Sequence, residues 1–313
     1  MFIYIVLGVL GFAVIFLLLS IFYAYTKTFG ERRITPYDRI NMRGFAAYED
    51  RIRGLIDDMI ARECEKVELT SRDGLRLSAR FYHTSKGAPL VIMAHGYRGH
   101  ALRDFSGGAR LCLELGYNLL LIDQRAHGES EGRTISFGIK ERFDILDWID
   151  YAVERFGSEK KLLLMGVSMG AGTVIMAAGE ALPESVVGVI ADCPFSTPIK
   201  IIEKVGEERG FPKAIIKPLV TLGARLFGGF SLTEASPVEA AARARVPILI
   251  IHGDADTFVP FSMSEEIQRA NPSIILERIE GADHAVSYLK DTEAYTAAVA
   301  KFTKEVLGED ESR

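Results

Sequence analysis

Between Lys161 and Gly179 the sequence reads KLLLMGVSMGAGTVIMAAG, and this run constrains the fold more than any other. The apolar stretch Leu162 to Met165 ends in Gly166-Val167-Ser168-Met169-Gly170, after which small and apolar residues continue at helical spacing through Ala178. That order predicts a strand, a sharp turn and a helix. At such a turn the central serine is held in a strained backbone conformation. Glycines two before and two after it let strand and helix pass closely without Cβ clashes. Ser168 is therefore expected to stand exposed above a sheet, at the positive end of the next helix's dipole, where an alkoxide or oxyanion is favoured.

The flanking sequence supplies that sheet. Apolar runs at Leu90 to Ala94, Asn118 to Ile122, Val186 to Ala191, Pro247 to Ile251 and Ile274 to Ile279 predict further strands. Between and after them, Asp104 to Leu115, Phe137 to Phe156, Ser262 to Ala270 and about Tyr288 to Val306 predict helices. The alternation specifies an α/β fold with a mostly parallel, doubly covered sheet. Val67-Glu68-Leu69 and Leu75 to Phe81 alternate around Arg72-Asp73-Gly74, which predicts a hairpin at its antiparallel edge. The stretch from Pro194 to Arg245 breaks the pattern: about fifty residues with five prolines, a Gly228-Gly229 pair and helical patches at Ile199 to Val205 and Ala214 to Phe227. Too long for a simple crossover, it is expected to form a helical cap (about 194–245) over the C-terminal strand ends, where a parallel sheet puts its site.

Met1 to Thr26 carries no charged side chain. Twenty-odd helical residues cross the roughly 30 Å hydrocarbon layer. A secretory signal expects basic residues before a shorter apolar core and a small-x-small cleavage site after it, and neither is evident. Residues 1–26 are thus expected to be an uncleaved transmembrane anchor, with Tyr23 and Tyr25 as interfacial aromatics. Residues 27–66 form a connecting segment whose Ile52, Leu55, Ile56, Met59 and Ile60 predict an amphipathic helix, and the main domain follows at 67–307. Lys27, Arg32, Arg33, Arg39 and Arg43 all follow the span, so the positive-inside rule predicts a single-pass protein with a cytoplasmic domain.

The net charge of -5 comes with no basic block or aromatic-interleaved stripe, which argues against nucleic-acid binding. Cys64, Cys112 and Cys193 stand at unrelated spacings and read as buried thiols rather than a disulfide framework. The histidines are scattered over different loops, so no metal is expected.

A serine hydroxyl is a weak nucleophile at neutral pH and needs a base within hydrogen-bond reach, itself oriented by a carboxylate. Two segments just beyond predicted strands offer both: His252-Gly253-Asp254-Ala255-Asp256-Thr257-Phe258-Val259-Pro260 and Gly281-Ala282-Asp283-His284. The resulting chain order is Ser, Asp, His.

From about residue 65 to 307 the chain resembles a single-domain α/β-hydrolase with a helical cap. It is similar to the membrane-anchored, esterase- or peptidase-like group whose strands end in HGYRG, D-x-R-x-HG-x-S, G-x-S-x-G, HG-x-x-D-x-x-VP and GADH. All five occur here in order. The resemblance implies Ser168 as nucleophile, Asp256 as orienting acid and His284 as base, with the backbone N–H groups of Tyr97 and Met169 as oxyanion-hole donors. It gives Asp254 and Asp283 turn or cap roles and puts His127 near the site; His95 and His252, which precede glycines at strand ends, read as structural residues or as hydrogen-bonders behind the site, and Asp123 and Arg125 as loop braces. His83 and His100 show no partner pattern and are expected at the surface. Tyr97, Arg98, Phe195, Phe211, Phe227 and Phe230 are candidates for an acyl pocket. The implied activity is cofactor-free hydrolysis of a small-molecule carboxylic ester, with acylglycerol or lysophospholipid esters suggested by the anchor. A peptidase or acyl-aminopeptidase of similar fold and a non-catalytic binding module are the alternatives, and oligomeric state stays open.

Overall fold

A computed structural model describes residues 1–41 and 44–308, so Arg43, one of the basic residues counted after the apolar span, lies outside the described residues. The chain opens with α1 (Phe2–Phe29). Among the described residues it is the one helix long and apolar enough to cross a membrane, by a test of length and composition that an N-terminal signal sequence also passes. Side chains such as Phe2, Leu10 and Phe16 are exposed, whereas Ile21 and Phe29 are buried against the domain. Tyr25, expected at a membrane interface, turns inward instead: its hydroxyl lies 2.5 Å from Thr134 Oγ1 and its ring packs on Phe29 and Phe227. Tyr23 stays exposed.

A loop then leads to α2 (Glu49–Ala61), which buries Ile52, Leu55, Ile56 and Met59 and leaves Ile60 outside. The sheet follows: β1 (Glu65–Thr70), β2 (Arg76–Tyr82), β3 (Leu90–Ala94), then α3 (Ala101–Asp104), α4 (Ser106–Glu114), β4 (Asn118–Asp123), α5 (Glu141–Phe156), β5 (Leu162–Val167) and α6 (Met169–Ala178). Next come β6 (Val186–Asp192), the cap helices α7 (Pro198–Glu208) and α8 (Lys213–Gly223), α9 (Pro237–Ala241), β7 (Ile248–Gly253), α10 (Phe261–Ala270), β8 (Ile275–Ile279), α11 (Ser287–Lys290) and α12 (Thr292–Leu307). The strand order is β1-β2-β4-β3-β5-β6-β7-β8, antiparallel at β1–β2 and β2–β4 and parallel from β4 to β8.

Because side chains alternate across a strand, β5 feeds two cores at once. Leu162 and Leu164 join Trp148 of α5 and Val174 of α6, while Leu163 and Met165 join Met59 of α2 and Phe302 of α12. A third core belongs to the cap, where Ile201, Ile216, Val220 and Phe230 pack with Phe29 of α1 and with Phe137, Met169 and Phe195 from beneath. Cap and N-terminal helix therefore share one apolar interior.

Three expected helices are shorter or split. The helix expected from Phe137 starts at Glu141, since Phe137 and Gly138 have φ of 56° and 89°, and the Glu141 carboxylate accepts from the amides of Ser136 (2.7 Å) and Gly138 (2.8 Å). The final helix is divided by Asp291, whose side chain accepts from Ala294 N at 2.9 Å and starts α12. The Asp104 to Leu115 segment breaks at Phe105 into α3 and α4. His100 is the related correction: it is buried rather than on the surface, because its ring caps α3 by accepting from Leu102 N at 3.2 Å.

Candidate active site

Ser168 occupies the junction of β5 and α6 with φ 55° and ψ -112°, a conformation that a residue with a Cβ adopts only at a cost. Its amide donates to Asp192 O (2.8 Å) and its carbonyl accepts from Gly172 N (3.1 Å), which holds the turn from both sides. The glycines are explained by their surroundings. A Cβ on Gly166 would lie 2.2 Å from Gly170 O, and one on Gly170 would lie 1.8 Å from Ala94 O. Only bare backbone fits where β3, β5 and α6 cross.

Loops beyond β7 and β8 bring up the partners. His284 Nε2 lies 2.9 Å from Ser168 Oγ, so the hydroxyl can donate to it, and His284 Nδ1–H donates to Asp256 Oδ2 at 2.7 Å. The second oxygen of Asp256 accepts from the amides of Phe258 and Val259, both at 2.8 Å. Burial alone would push the Asp256 carboxyl up, but the charge of His284 and the hydrogen bonds from His252 and His284 hold it well below the usual carboxylate range. His252 stands behind the pair: Nε2 reaches Val259 O (2.9 Å) and Asp256 Oδ2 (3.2 Å), and Nδ1 accepts from Ser264 Oγ (2.6 Å). Asp254 receives Gly281 N and Arg278, and Asp283 accepts from Thr257 N and His284 N, which are turn-bracing roles.

The two amides expected to bind an oxyanion, those of Met169 and Tyr97, come from different segments that both border the cavity at Ser168. Met169 is the first residue of α6, where a helix leaves its amide without an intrahelical acceptor. Tyr97 follows the end of β3, in a loop fixed from every side. Gly96 N donates to Asp104 Oδ2 (2.8 Å) and Arg98 N donates to His127 Nε2 (3.0 Å). The Tyr97 hydroxyl donates to Thr28 O (2.7 Å), and Arg98 donates to Lys27 O (3.0 Å) and Gly30 O (2.9 Å), so this loop closes the C-terminal end of α1.

His95 and His127 brace that loop as neutral rings. His95 Nδ1–H donates to Gly96 O and its Nε2 accepts from Gln124 N; His127 Nδ1–H donates to Arg125 O and its Nε2 accepts from Arg98 N. With the acceptor nitrogens facing backbone N–H groups, neither ring can take a second proton without losing a bond. Burial first of all lowers His95 to about 4 and His127 to about 3. Both folded values lie below the unfolded one near 6.5, so at neutral pH they cost nothing, and below about pH 6.5 only the unfolded chain binds the protons. The two rings' contribution to stability is expected to fall from about pH 6.5 to about pH 4 for His95 and to about pH 3 for His127, by up to about 1.4 kcal/mol per pH unit each. Burial raises the Asp144 and Asp192 carboxyls, which opposes this in the total, so NMR titration of the two imidazoles is the check; a ring protonating near pH 6.5 would contradict it.

Ser168 is buried rather than exposed as expected, at the floor of a cavity of about 470 Å³ that opens above it and Met169. Tyr97, Phe195 and Phe211 line it, as do Phe137 and Phe258, which sequence reasoning did not name; the Phe258 ring lies 4.9 Å from that of His284. Three of the candidates serve elsewhere. Arg98 holds the end of α1, Phe227 packs on Phe22 and Tyr25, and Phe230 packs on Phe29. Residues of α1 also form part of the wall, which no local signal announces. Arg125, buried, ties Asp73 to Asp144 and braces the loop after β4.

Cys193, Asp256 and His284 place ligand-type atoms within 4.8 Å of one another. They suit a cation poorly, because the carboxylate and imidazole already bond each other and burial holds the Cys193 thiol well above its usual value, hence protonated.

Residues 89–215 match the sequence model of a family described as the alpha/beta hydrolase fold. Among characterised and uncharacterised relatives, the uncharacterized protein YqkD of Bacillus subtilis (strain 168) is 29% identical over 214 residues, 68% of this chain and 70% of the relative. The thiohydrolase aneE of Aspergillus aculeatus is 31% identical over 132 residues, 41% of each chain. Of solved structures, the Pyrococcus furiosus esterase Pf2001 superposes with a TM-score of 0.64 at 24% identity, covering 80% of this chain and 96% of that one. Est1E from Butyrivibrio proteoclasticus, with ferulic acid bound, gives 0.60 at 22% identity, covering 78% and 100%. At such identities the structural likenesses establish the fold.

Proposed function

This chain has the α/β-hydrolase fold, and from that premise we propose that it is a membrane-anchored serine hydrolase that cleaves carboxylic esters through an acyl-enzyme. The observation that carries this reading is the unbroken relay from Ser168 Oγ to His284 and on to Asp256, at 2.9 and 2.7 Å, under an apolar cavity. Ser168 Oγ attacks the ester carbonyl as its proton passes to His284 Nε2. The Oγ–C bond forms, and the carbonyl electron pair moves onto an oxygen held by the amides of Tyr97 and Met169. Collapse of that intermediate breaks the C–O bond to the alcohol, which leaves with the proton from His284. Water then gives a proton to His284 and attacks the acyl carbonyl, and release of the acid returns the proton to Ser168. Asp256 stays ionised throughout and stabilises the imidazolium.

The reading of α1 as a retained anchor is supported by its docking. Phe29 is buried in the cap core and the last carbonyls of the helix are bonded by Tyr97 and Arg98, so cleavage of a leader here would unmake part of the site. Arg32, Arg33 and Arg39 beyond it support a cytoplasmic domain. Acylglycerol and lysophospholipid esters fit a site beside lipid, and the esterase and thiohydrolase names of similar proteins favour ester-type acyl transfer over peptide cleavage.

The test uses the full chain in detergent or vesicles with p-nitrophenyl esters from acetate to palmitate and a peptide p-nitroanilide alongside. Hydrolysis of esters with an acyl adduct on Ser168 detected by mass spectrometry is the expected result. Cleavage of the anilide alone would move the assignment to a peptidase, and no adduct with any substrate would leave a binding module.

A further inference from the structure

The cavity above Ser168 does not end within the cap. It continues along α1, where Phe16, Ser20, Ala24 and Thr28 form one wall. These positions recur every four residues and so share one face of the helix, and the twelve helical steps from the first to the last span about 18 Å. Facing them are Val205 of α7, Phe211 in the turn after it, and Ile215 and Leu219 of α8. Phe211 and Ile215 are more than half exposed, so the groove is open along its side rather than sealed. Taking Tyr23 and Lys27 as the level where apolar helix gives way to charge, Phe16 lies about 16 Å beneath Lys27, near the middle of a hydrocarbon layer roughly 30 Å thick.

Cations gather at the end of the groove nearest the domain. Lys27 and Arg209 are among its lining residues. Arg209, Arg39, Arg32 and Arg98 all act on Tyr97, which also lines the cavity, and Arg39 is itself held below its ordinary value by burial and then by Arg32, Arg103 and Arg98. A collar of cations at the end of a membrane-length apolar helix matches the plane of anionic lipid headgroups.

We propose that α1 and the cap together form an acyl-chain channel open sideways to the bilayer. The substrate is then a long-chain acyl ester resident in the membrane, drawn in with its chain along Phe16 to Thr28 and its carbonyl at Ser168. The helix is a substrate-binding wall as well as an anchor. This rests on the assignment of Ser168 as nucleophile. A short acyl group fills only the end of the cavity beside Ser168, whereas a long chain concentrates in the bilayer by about fourfold per methylene and enters the groove along α1 from there.

Second-order labelling of Ser168 by methyl and hexadecyl fluorophosphonates, with the full chain in vesicles containing anionic phospholipid, tests the channel. The hexadecyl probe is expected to react at least about a hundredfold faster than the methyl probe. Ala24→Trp and Ser20→Trp, which put an indole into the groove, should lower that ratio by about tenfold or more. Leu18→Trp adds the same bulk on the opposite, exposed face of α1 and should leave the ratio within about twofold. An unchanged ratio in both groove variants, or an equal fall in Leu18→Trp, would overturn the channel while methyl labelling still upheld Ser168 as nucleophile. A wild-type chain unlabelled by either probe would remove the nucleophile and the channel with it.

Discussion

Ser168→Ala is expected to lower the hydrolysis of a short p-nitrophenyl ester by about ten-thousandfold or more while leaving the protein folded. The substitution removes the atom that lies 2.9 Å from His284 Nε2 and, in the proposed mechanism, forms the bond to the acyl carbon. On that mechanism what survives is transition-state stabilisation by the amides of Tyr97 and Met169. Alanine keeps a Cβ at φ 55°, so the backbone strain is unchanged and the melting temperature should move little. Ser168→Gly, equally inactive, should be more stable by about 1 kcal/mol, because glycine adopts that conformation without the Cβ penalty. Kinetics and thermal melts of the two variants separate a chemical role from a structural one. Retained ester hydrolysis in both would remove Ser168 from the reaction.

Gly170→Ala is expected to do the reverse and destroy stability. The new methyl would sit 1.8 Å from Ala94 O and 2.7 Å from His95 O, both backbone atoms at the end of β3. That strand is hydrogen-bonded on both sides, to β4 and β5, so it cannot retreat without opening the centre of the sheet. A loss of about 4 kcal/mol or more is expected, a large share of a typical domain's total, with a fall in melting temperature of about 10 °C or more or no soluble product. Gly54→Ala is the internal contrast. Gly54 lies inside α2 with nothing within 4 Å of its Cβ position, so alanine there should add about 0.5–1 kcal/mol. A melting temperature for Gly170→Ala within a few degrees of wild type would refute the crossing argument.

Much of the sheet was legible because the pattern that specifies a strand or a turn is carried by neighbours in sequence. The run Leu162 to Met165, the glycines flanking Ser168 and the Asp73-Gly74 turn each declare their conformation within a few residues. Helix starts were less legible, since Glu141 begins its helix by bonding amides at Ser136 and Gly138, a cap that depends on the left-handed turn before it. His100 shows the same limit: a ring that caps a short helix in the interior has no periodic signature.

The site divides in the same way. The loops that follow recognisable strands offered Ser168 and several acids and histidines, the resemblance singled out Asp256 and His284 among them, and the fold brings the three within hydrogen-bond reach across 116 residues of chain. Sequence by itself thus determined the α/β layering, the turn at Ser168 and a helix apolar enough to span a bilayer. Only the tertiary structure decided that this helix packs on the cap, that Tyr97 and Arg98 close its end, that Phe227 and Phe230 hold it while Phe137 and Phe258 line the cavity, and that Tyr25 points inward. The reason is physical: backbone periodicity is set by residues a few positions apart, whereas the wall of a cavity is set by which distant apolar faces cover one another, and any apolar face of the right width will pack.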